Sequence, residues 1–292
     1  MPLKITRAAD PIKVERLNVV IYGAPGVGKT SLGFTAEAPI LLDFDHGAYR
    51  ATGRKDTVQV SSWQDVTAIS AEDLADYKTV VVDTAGRALD HLTADIIRRN
   101  PKAGRGGALT LQGYGTLKSE FAAWLKSINS FGLDVVLIAH MDEQRNGDDI
   151  IERLDVQGGS KGEIYKAADA MGRIAIRDGR RILTFSPTDA AFGKNPAQLE
   201  PMVVSQVGDF LGDVISTIKA KLNEASAAQA AEAAIITQWR DKIMEMDTPE
   251  QFTGAIPDAK KAPKAVAAML ASMAKGKGYV FSEGAYRMPE AA

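Results

Sequence analysis

The sequence predicts an α/β fold, with a mostly parallel sheet flanked by helices and a small helical C-terminal region. Two observations lead to this prediction. Short apolar runs recur between residues 19 and 140, and several end in glycine or a polar residue, as buried parallel strands do. Segments with helical spacing separate these runs, and from residue 207 onward helical spacing dominates. We therefore expect two domains, a core at 1–222 and an alanine-rich helix with a helical tail at 223–292.

Composition excludes several functional classes. The 292 residues carry a formal net charge of −2, so no overall field directs the chain to nucleic acid or membrane, and any basic surface is local. There is no cysteine, which rules out disulfides and thiolate chemistry and favours a reducing compartment. No apolar run reaches the length of a membrane span, and the N-terminus lacks a signal-peptide core. We expect a cytoplasmic protein without a membrane partner.

The first strand, residues 19–22, leads into a phosphate-binding loop. Residues 23–30 match G-x-x-x-x-G-K-[ST], and residues 31–36 can open a helix. Glycines let the backbone N–H groups turn inward around a triphosphate, Lys29 can reach its β- and γ-phosphates, and the Thr30 hydroxyl can bind Mg²⁺. The residues expected to contact the nucleotide are Gly23, Ala24, Pro25, Gly26, Val27, Gly28, Lys29, Thr30 and Ser31.

Polar residues follow three later strands. Asp43 and Asp45 end the run at 39–42, Asp83 ends the valine run at 78–82, and His140 ends the run at 134–139. The carboxyl ends of parallel strands share one edge, so we expect these side chains near the phosphate loop. Asp83 fits a magnesium-holding acid, or else caps a helix. Asp45, and less directly Asp43, could orient the attacking water, and both could equally cap a turn. His140 could sense the γ-phosphate or be structural.

Two segments between strands and helices are predicted to be polar loops. Residues 96–119 contain five cations, no acid and several glycines, which indicates a mobile basic loop able to follow nucleic-acid phosphates. A solvated loop without a partner is the alternative. Residues 141–163 form the second loop. Aromatic residues are scarce in both, which favours backbone contact over base stacking.

The remaining segments are assigned by their period. We expect a strand at 57–60, a serine-capped helix start at 61–65, and a helix at 117–128. Asp178-Gly179 predicts a hairpin between strands at 171–176 and 181–185. An amphipathic helix at 207–222 runs into the alanine-rich segment at 225–234, and two or three short helices follow.

In this order, the motifs resemble the core of RecA-type ATPases. Residues 41–47 resemble the segment that carries the catalytic glutamate there, which implies that Asp45, one methylene shorter, is the general base. Residues 82–84 resemble the second acidic motif of these proteins. His140 falls at the position of a glutamine that senses the γ-phosphate. Residues 98–115 and 141–160 correspond to the two DNA-binding loops, and Gly158-Gly159 resembles the glycine pair after the second.

A closer resemblance is to the short RecA-related ATPases of phage recombination, the AAA-like ATP-binding proteins of the fourth Sak family. It covers about residues 17–205 and rests on residues 22–30, 77–83, 115–121 and 139–140. It implies a slow, DNA-stimulated ATPase that uses ATP and Mg²⁺, binds single-stranded DNA and promotes annealing or homologous recombination, in the host cytoplasm if phage-encoded. Expected DNA contacts are Arg98, Arg99, Lys102, Arg105, Arg145 and Lys161.

The resemblance also implies partners. A single-strand DNA-binding protein is expected beside this one, and a homo-oligomer is expected because RecA-like sites lie between neighbouring subunits. Lys161 or Arg173 would then act on the adjacent subunit's phosphate. One alternative function is a nucleotide-gated interaction module with slow, DNA-independent hydrolysis that recruits partners through its tail. A third alternative is a phosphotransferase, but the sequence indicates no pocket for a second substrate.

Overall fold

The computed structural model describes residues 2–147, 149–156, 160–205 and 207–289. The described residues divide into two compact units, one within 14–222 and the other combining 2–13 with 223–289. The glycine pair Gly158-Gly159 lies outside the described residues, so its comparison with a DNA-binding loop stays a prediction.

The larger unit alternates strands and helices. Its strands are β1 (Asn18–Gly23), β2 (Pro39–Asp43), β3 (Thr57–Gln59), β4 (Thr79–Asp83), β5 (Gly104–Arg105), β6 (Ala108–Leu109), β7 (Asp134–Asn146), β8 (Asp149–Leu154), β9 (Ala170–Arg177), β10 (Arg180–Thr184) and β11 (Met202–Val203). Its helices are α1 (Lys29–Gly33), α2 (Trp63–Thr67), α3 (Ala85–Arg99), α4 (Leu111–Ser130), α5 (Ser160–Ala167) and the first part of α6 (Phe210–Met244).

The main sheet has the strand order β11-β10-β9-β1-β7-β4-β2-β3. The neighbours from β9 to β3 are parallel, whereas β10 and β11 continue the sheet antiparallel at one side. Helices flank this mostly parallel sheet, which confirms the predicted α/β class. Because β1 is central, the loop that follows it lies at the middle of the carboxyl edge, beside the point where the pairing of β1 with β7 ends and one strand away from the end of β4.

Both faces of the sheet are buried, which explains why its strands read as continuous apolar runs. In β1, Val20 and Tyr22 belong to the core shared with α3 and α4. Val19 and Ile21 belong to the core on the other face, which includes the start of α6. The alternation therefore fixes which way each residue at the strand end points.

The basic segment at 96–119 is not a mobile loop, and that prediction is wrong. Helix α3 continues to Arg99, a short 3₁₀ turn and the β5–β6 hairpin follow, and α4 already begins at Leu111. Side-chain caps explain the order: Asn100 accepts a hydrogen bond from the Lys102 N–H, and Thr110 accepts one from the Gly113 N–H. The glycines that suggested a loop lie within these elements or in the turn between β5 and β6.

The second predicted loop, 141–163, is also largely regular. β7 extends to Asn146 and pairs antiparallel with β8, and α5 begins at Ser160. Other local predictions are confirmed. Ser62 forms a capping box with Asp65 at the start of α2. Asp178 and Gly179, with φ of 50° and 73°, join β9 to β10 as a tight hairpin turn.

The smaller unit has its own apolar core. The latter part of α6, then α7 (Pro249–Ala259) and α8 (Lys264–Gly276), pack Ile243, Phe252 and Leu270 together. The alanine-rich segment is helical, as predicted, and two further helices follow it. The hairpin β12 (Val280–Ser282) with β13 (Ala285–Arg287) was not predicted. In the described part of the chain, no helix combines the length and apolarity that a bilayer crossing requires.

Candidate functional site

The loop between β1 and α1 has the backbone that its glycines predict. The φ angle is +76° at Gly26 and +91° at Gly28, a region that strains any residue with a Cβ. Val27 is buried beneath the loop, whereas Ala24 and Pro25 are exposed. Gly23 is needed for a different reason: a Cβ there would lie 2.3 Å from the Ile174 carbonyl oxygen of β9.

Lys29 is buried, with 5% of its surface exposed, and its ammonium is held inside the site. Nζ donates to the carbonyl oxygens of Gly23 at 3.0 Å and Ala24 at 2.9 Å. It also lies 3.2 Å from Nδ1 of His140. Burial lowers the pKa of Lys29 to about 8, against the opposing effect of Asp83. At neutral pH the ammonium is therefore charged, and neutral carbonyl oxygens are its closest acceptors.

Asp83 and Thr30 meet directly at the sheet edge. The Thr30 hydroxyl donates to Oδ2 of Asp83 at 2.6 Å, and Asp83 is 3% exposed. Burial raises the pKa of the Asp83 carboxyl to about 6, although the bond from Thr30 lowers it. Both side chains offer oxygen ligands, the type that Mg²⁺ prefers.

The two acids after β2 have different surroundings. Asp43 is fully buried and accepts hydrogen bonds from the N–H groups of Gly47 and Ala48, both at 3.0 Å. It therefore caps the turn after β2. Asp45 lies in the cleft, where Nε of Arg87 donates to its Oδ1 at 3.1 Å and Nη2 of Arg50 lies 4.0 Å from its Oδ2.

His140 ends the parallel pairing of β7 with β1, opposite Gly23. Burial, with Lys29 adding to it, holds the pKa of His140 below its usual value. Nδ1 of a neutral imidazole can accept a hydrogen bond from the Lys29 ammonium, and the imidazole proton is then on Nε2. The histidine thus contacts the residue that is expected to meet the phosphates.

These side chains share one cleft of about 580 Å³. It brings together four predicted residues, Lys29, Asp45, Asp83 and His140, with Thr30 and Ser31. Ser31 also accepts a hydrogen bond from the Thr52 N–H at 3.0 Å. Sequence reasoning missed four further lining residues, which are Gly47, Arg50, Ala51 and Thr84. Three of them belong to the turn after β2, which gave no periodic signal.

The predicted DNA contacts lie elsewhere, and two of them are engaged. Arg98 and Arg99 donate to Asp95 at 2.6 and 2.7 Å, and Arg99 also donates to Glu120 at 2.6 Å. Asp95 and Glu120 directly flank the segment 96–119, which is why that segment itself contains no acid.

The other four predicted DNA contacts are less engaged. Lys102, Arg105 and Arg145 are exposed and Lys161 is half-buried. Within the described ranges no ion pair to any of them is found. Arg173, the other residue considered for a neighbouring subunit's phosphate, pairs with Glu152 of its own chain.

Comparison with known proteins gives a family match and matches among the solved structures. Residues 15–197 match a family described as AAA domain. A KaiC-like protein from the hyperthermophilic archaeon Pyrococcus horikoshii OT3 has a similar structure, with a TM-score of 0.34 and 11% identity over 62% of this chain and 87% of that one. No curated protein sequence matches. The family match spans every cleft residue from Pro25 to His140.

Proposed function

The chain belongs to the AAA domain family, and we propose that its cleft binds ATP with Mg²⁺ and hydrolyses the bond between the β- and γ-phosphates. One observation carries the proposal. The Thr30 hydroxyl, the Asp83 carboxylate and the Lys29 ammonium converge at the end of the phosphate loop. This is the set of groups that P-loop enzymes use to hold a triphosphate and its metal.

The residues present fit Mg²⁺ if the nucleotide completes its shell. Thr30 and Asp83 supply two oxygen ligands. In the described residues no group of three acids or histidines could hold a metal alone. Mg²⁺ typically takes one or two protein ligands and fills its shell with phosphate oxygens and water. The bound ion would neutralise charge that develops on the phosphates.

Each remaining group has a proposed task. Lys29 moves its ammonium from the carbonyl oxygens of Gly23 and Ala24 to the phosphates, which carry formal charge. Asp45 orients a water molecule and accepts its proton as the water oxygen bonds to the γ-phosphorus and the bond to the β–γ bridging oxygen breaks. The products are ADP and phosphate, and Asp45 then releases the proton to solvent. His140 loses its contact with Lys29 and so reports the bound state.

The finer proposal is that this ATPase acts on single-stranded DNA in phage-type recombination. It is supported by exposed cations without an ion pair in the described structure, Lys102, Arg105 and Arg145, on two separate hairpin regions. Cations of this kind can bind a phosphate backbone without reading sequence. A homo-oligomer and a single-strand DNA-binding protein are the proposed partners.

A second candidate function is a nucleotide-gated interaction module whose hydrolysis is slow and independent of DNA. The engagement of Arg98 and Arg99 by Asp95 and Glu120 favours it, because these arginines are partly neutralised within the chain. Residues 223–292 would then act as a separate domain that recruits the partner.

The measurement that separates the two is ATP turnover with and without single-stranded DNA, together with DNA binding across a salt series. We expect Lys102→Ala with Arg105→Ala to weaken binding and flatten its salt dependence. Arg98 is already paired with Asp95 in the chain, so Arg98→Ala is the matched control and should change DNA binding little. Turnover without DNA stimulation and no binding at low salt would leave only the interaction module. Absence of ATP turnover under all conditions would refute both.

A further inference from the structure

The turn after β2 is fixed at both ends beside the phosphate loop. At its start, the buried Asp43 carboxylate accepts hydrogen bonds from the Gly47 and Ala48 N–H groups. At its end, the Thr52 N–H donates to the hydroxyl of Ser31 in α1. Between these anchors, Ala48–Arg50 form one turn of 3₁₀ helix. The backbone that carries Arg50 is therefore positioned relative to both β2 and the phosphate loop.

Arg50 places a guanidinium in the cleft, where its Cζ lies 5.3 Å from the centroid of the neighbouring Tyr49 ring. Its side chain is 63% exposed, and its nearest acid is Asp45, with Nη2 to Oδ2 at 4.0 Å. The residue lines the same cleft as Lys29, Thr30 and Asp83. Gly47 leaves room for it, because a Cβ there would lie 2.6 Å from Nη2.

We propose that Arg50 is a catalytic residue that contacts the γ-phosphate of the nucleotide bound to its own chain. This deepens the proposed ATPase function and rests on it. The bond changes are those given above. The guanidinium adds positive charge next to the three γ-oxygens, whose negative charge rises as the bridging bond breaks. Contact with phosphate also draws Arg50 away from Oδ2 of Asp45, which leaves that oxygen for the water while Arg87 continues to donate to Oδ1.

The other candidate cations are less suited to this position. Arg87 is shared between two carboxylates, with 3.1 Å to both Asp45 and Asp90, and it is not among the cleft-lining residues in the described structure. Arg173 is paired with Glu152, and Lys161 lies on α5 outside the cleft. A phosphate contact from within the chain therefore makes a neighbouring subunit's cation unnecessary for turnover.

The first test compares Arg50→Ala with Arg54→Ala, an exposed arginine four residues further along that does not line the cleft. We expect Arg50→Ala to lower kcat about 100-fold, with a much smaller change in KM, because a transition-state contact is lost. Arg54→Ala should stay within about twofold. Arg50→Lys should recover only part of the rate, because it keeps the charge but loses the guanidinium fork. An Arg50→Ala rate within about threefold of the parent would overturn the assignment.

The second test asks whether Arg50 acts within its chain. Lys29→Ala protein keeps Arg50 but cannot hold phosphate, and Arg50→Ala protein has the opposite defect. A mixture of the two should turn over ATP no faster than its Arg50→Ala component alone if Arg50 serves its own site. Recovery of turnover in the mixture would show action on a neighbour and overturn the proposal.

A binding readout covers the case in which the parent protein does not hydrolyse ATP. Affinities for a non-hydrolysable ATP analogue and for ADP are compared by calorimetry in EDTA. We expect Arg50→Ala to lose about tenfold in the preference for the triphosphate, while Arg54→Ala keeps it. If Arg50→Ala keeps the preference for the triphosphate over ADP, the phosphate contact is refuted. If the parent protein does not hydrolyse ATP but Arg50→Ala loses this preference, only the ATPase function is refuted. Circular dichroism of each variant checks that the fold is intact.

Discussion

Replacing Asp83 by Asn should make the nucleotide-free protein more stable while it abolishes turnover. The folded structure keeps the Asp83 carboxyl 3% exposed and raises its pKa from 3.8 to about 6. That rise corresponds to about 3 kcal/mol of unfolding free energy lost at neutral pH, where the group is ionised in both states. Asparagine is nearly isosteric, can still accept the Thr30 hydrogen bond and carries no charge to bury.

The sign of the pH dependence follows from the direction of the shift. Below the unfolded-state pKa near 4 the carboxyl is protonated in both states and costs nothing. Between about 4 and 6 the folded state binds more protons, so stability falls as pH rises, and above 6 the full penalty is present. The stability gain of Asp83→Asn should therefore be largest above pH 6 and shrink toward pH 4.

Thermal unfolding at pH 5 and pH 7.5 measures this gain. About 3 kcal/mol corresponds to a rise in Tm of roughly 6–12 °C at pH 7.5. Adding ATP with Mg²⁺ should raise the Tm of the parent protein by more than that of Asp83→Asn, which keeps Lys29 and Thr30 but loses one metal ligand. The register partner of Asp83, Asp43, is the matched control. Asp43→Asn should destabilise, because that carboxylate accepts three hydrogen bonds. Equal or lower stability of Asp83→Asn at pH 7.5 would refute the reasoning.

Of two further predictions, the first concerns the same site and the second concerns helix α4. Because the pKa of Lys29 is about 8, affinity for a non-hydrolysable ATP analogue should change little between about pH 7 and 8 and fall about tenfold per pH unit above pH 8. Calorimetry on Lys29→Arg, which stays charged, should give a flat profile, and an equally steep one would contradict this cause. In α4, Gly113→Ala should lower unfolding free energy by about 1–3 kcal/mol, because the new Cβ would lie 2.5 Å from the Ala103 carbonyl oxygen. Gly115→Ala, with open space around it, should raise that free energy by about 1 kcal/mol, and equal denaturation midpoints for both variants would count against the packing explanation.

The main residues of the cleft could be predicted because each of them belongs to a short pattern in the sequence. Lys29 belongs to the glycine loop motif that follows one apolar run, Asp83 and His140 follow two others, and parallel topology then brings such strand ends to one edge. Arg50 could not be found this way. Its position depends on a turn whose shape is set by hydrogen bonds to Asp43, and no periodic pattern records them.

The basic segment shows where composition misleads. Asp95 lies three and four residues before Arg98 and Arg99, a spacing that predicts ion pairs once the helix is extended through them. Glu120 reaches Arg99 only because α3 and α4 pack together, so that pair required the tertiary structure. Counting glycines within 96–119 also missed Asn100 and Thr110, whose side chains cap the 3₁₀ turn and helix α4.

The length of β7 has a mechanical consequence. One uninterrupted strand of 13 residues begins inside the sheet, passes His140 at its edge and ends at Asn146 in the hairpin with β8. The six residues beyond His140 extend about 20 Å. A pivot of about 10° at His140 would swing the far end of this lever arm by about 3.5 Å, if the strand stays stiff. A small movement of His140, when Lys29 leaves it, would therefore produce a larger displacement at the far end of β7.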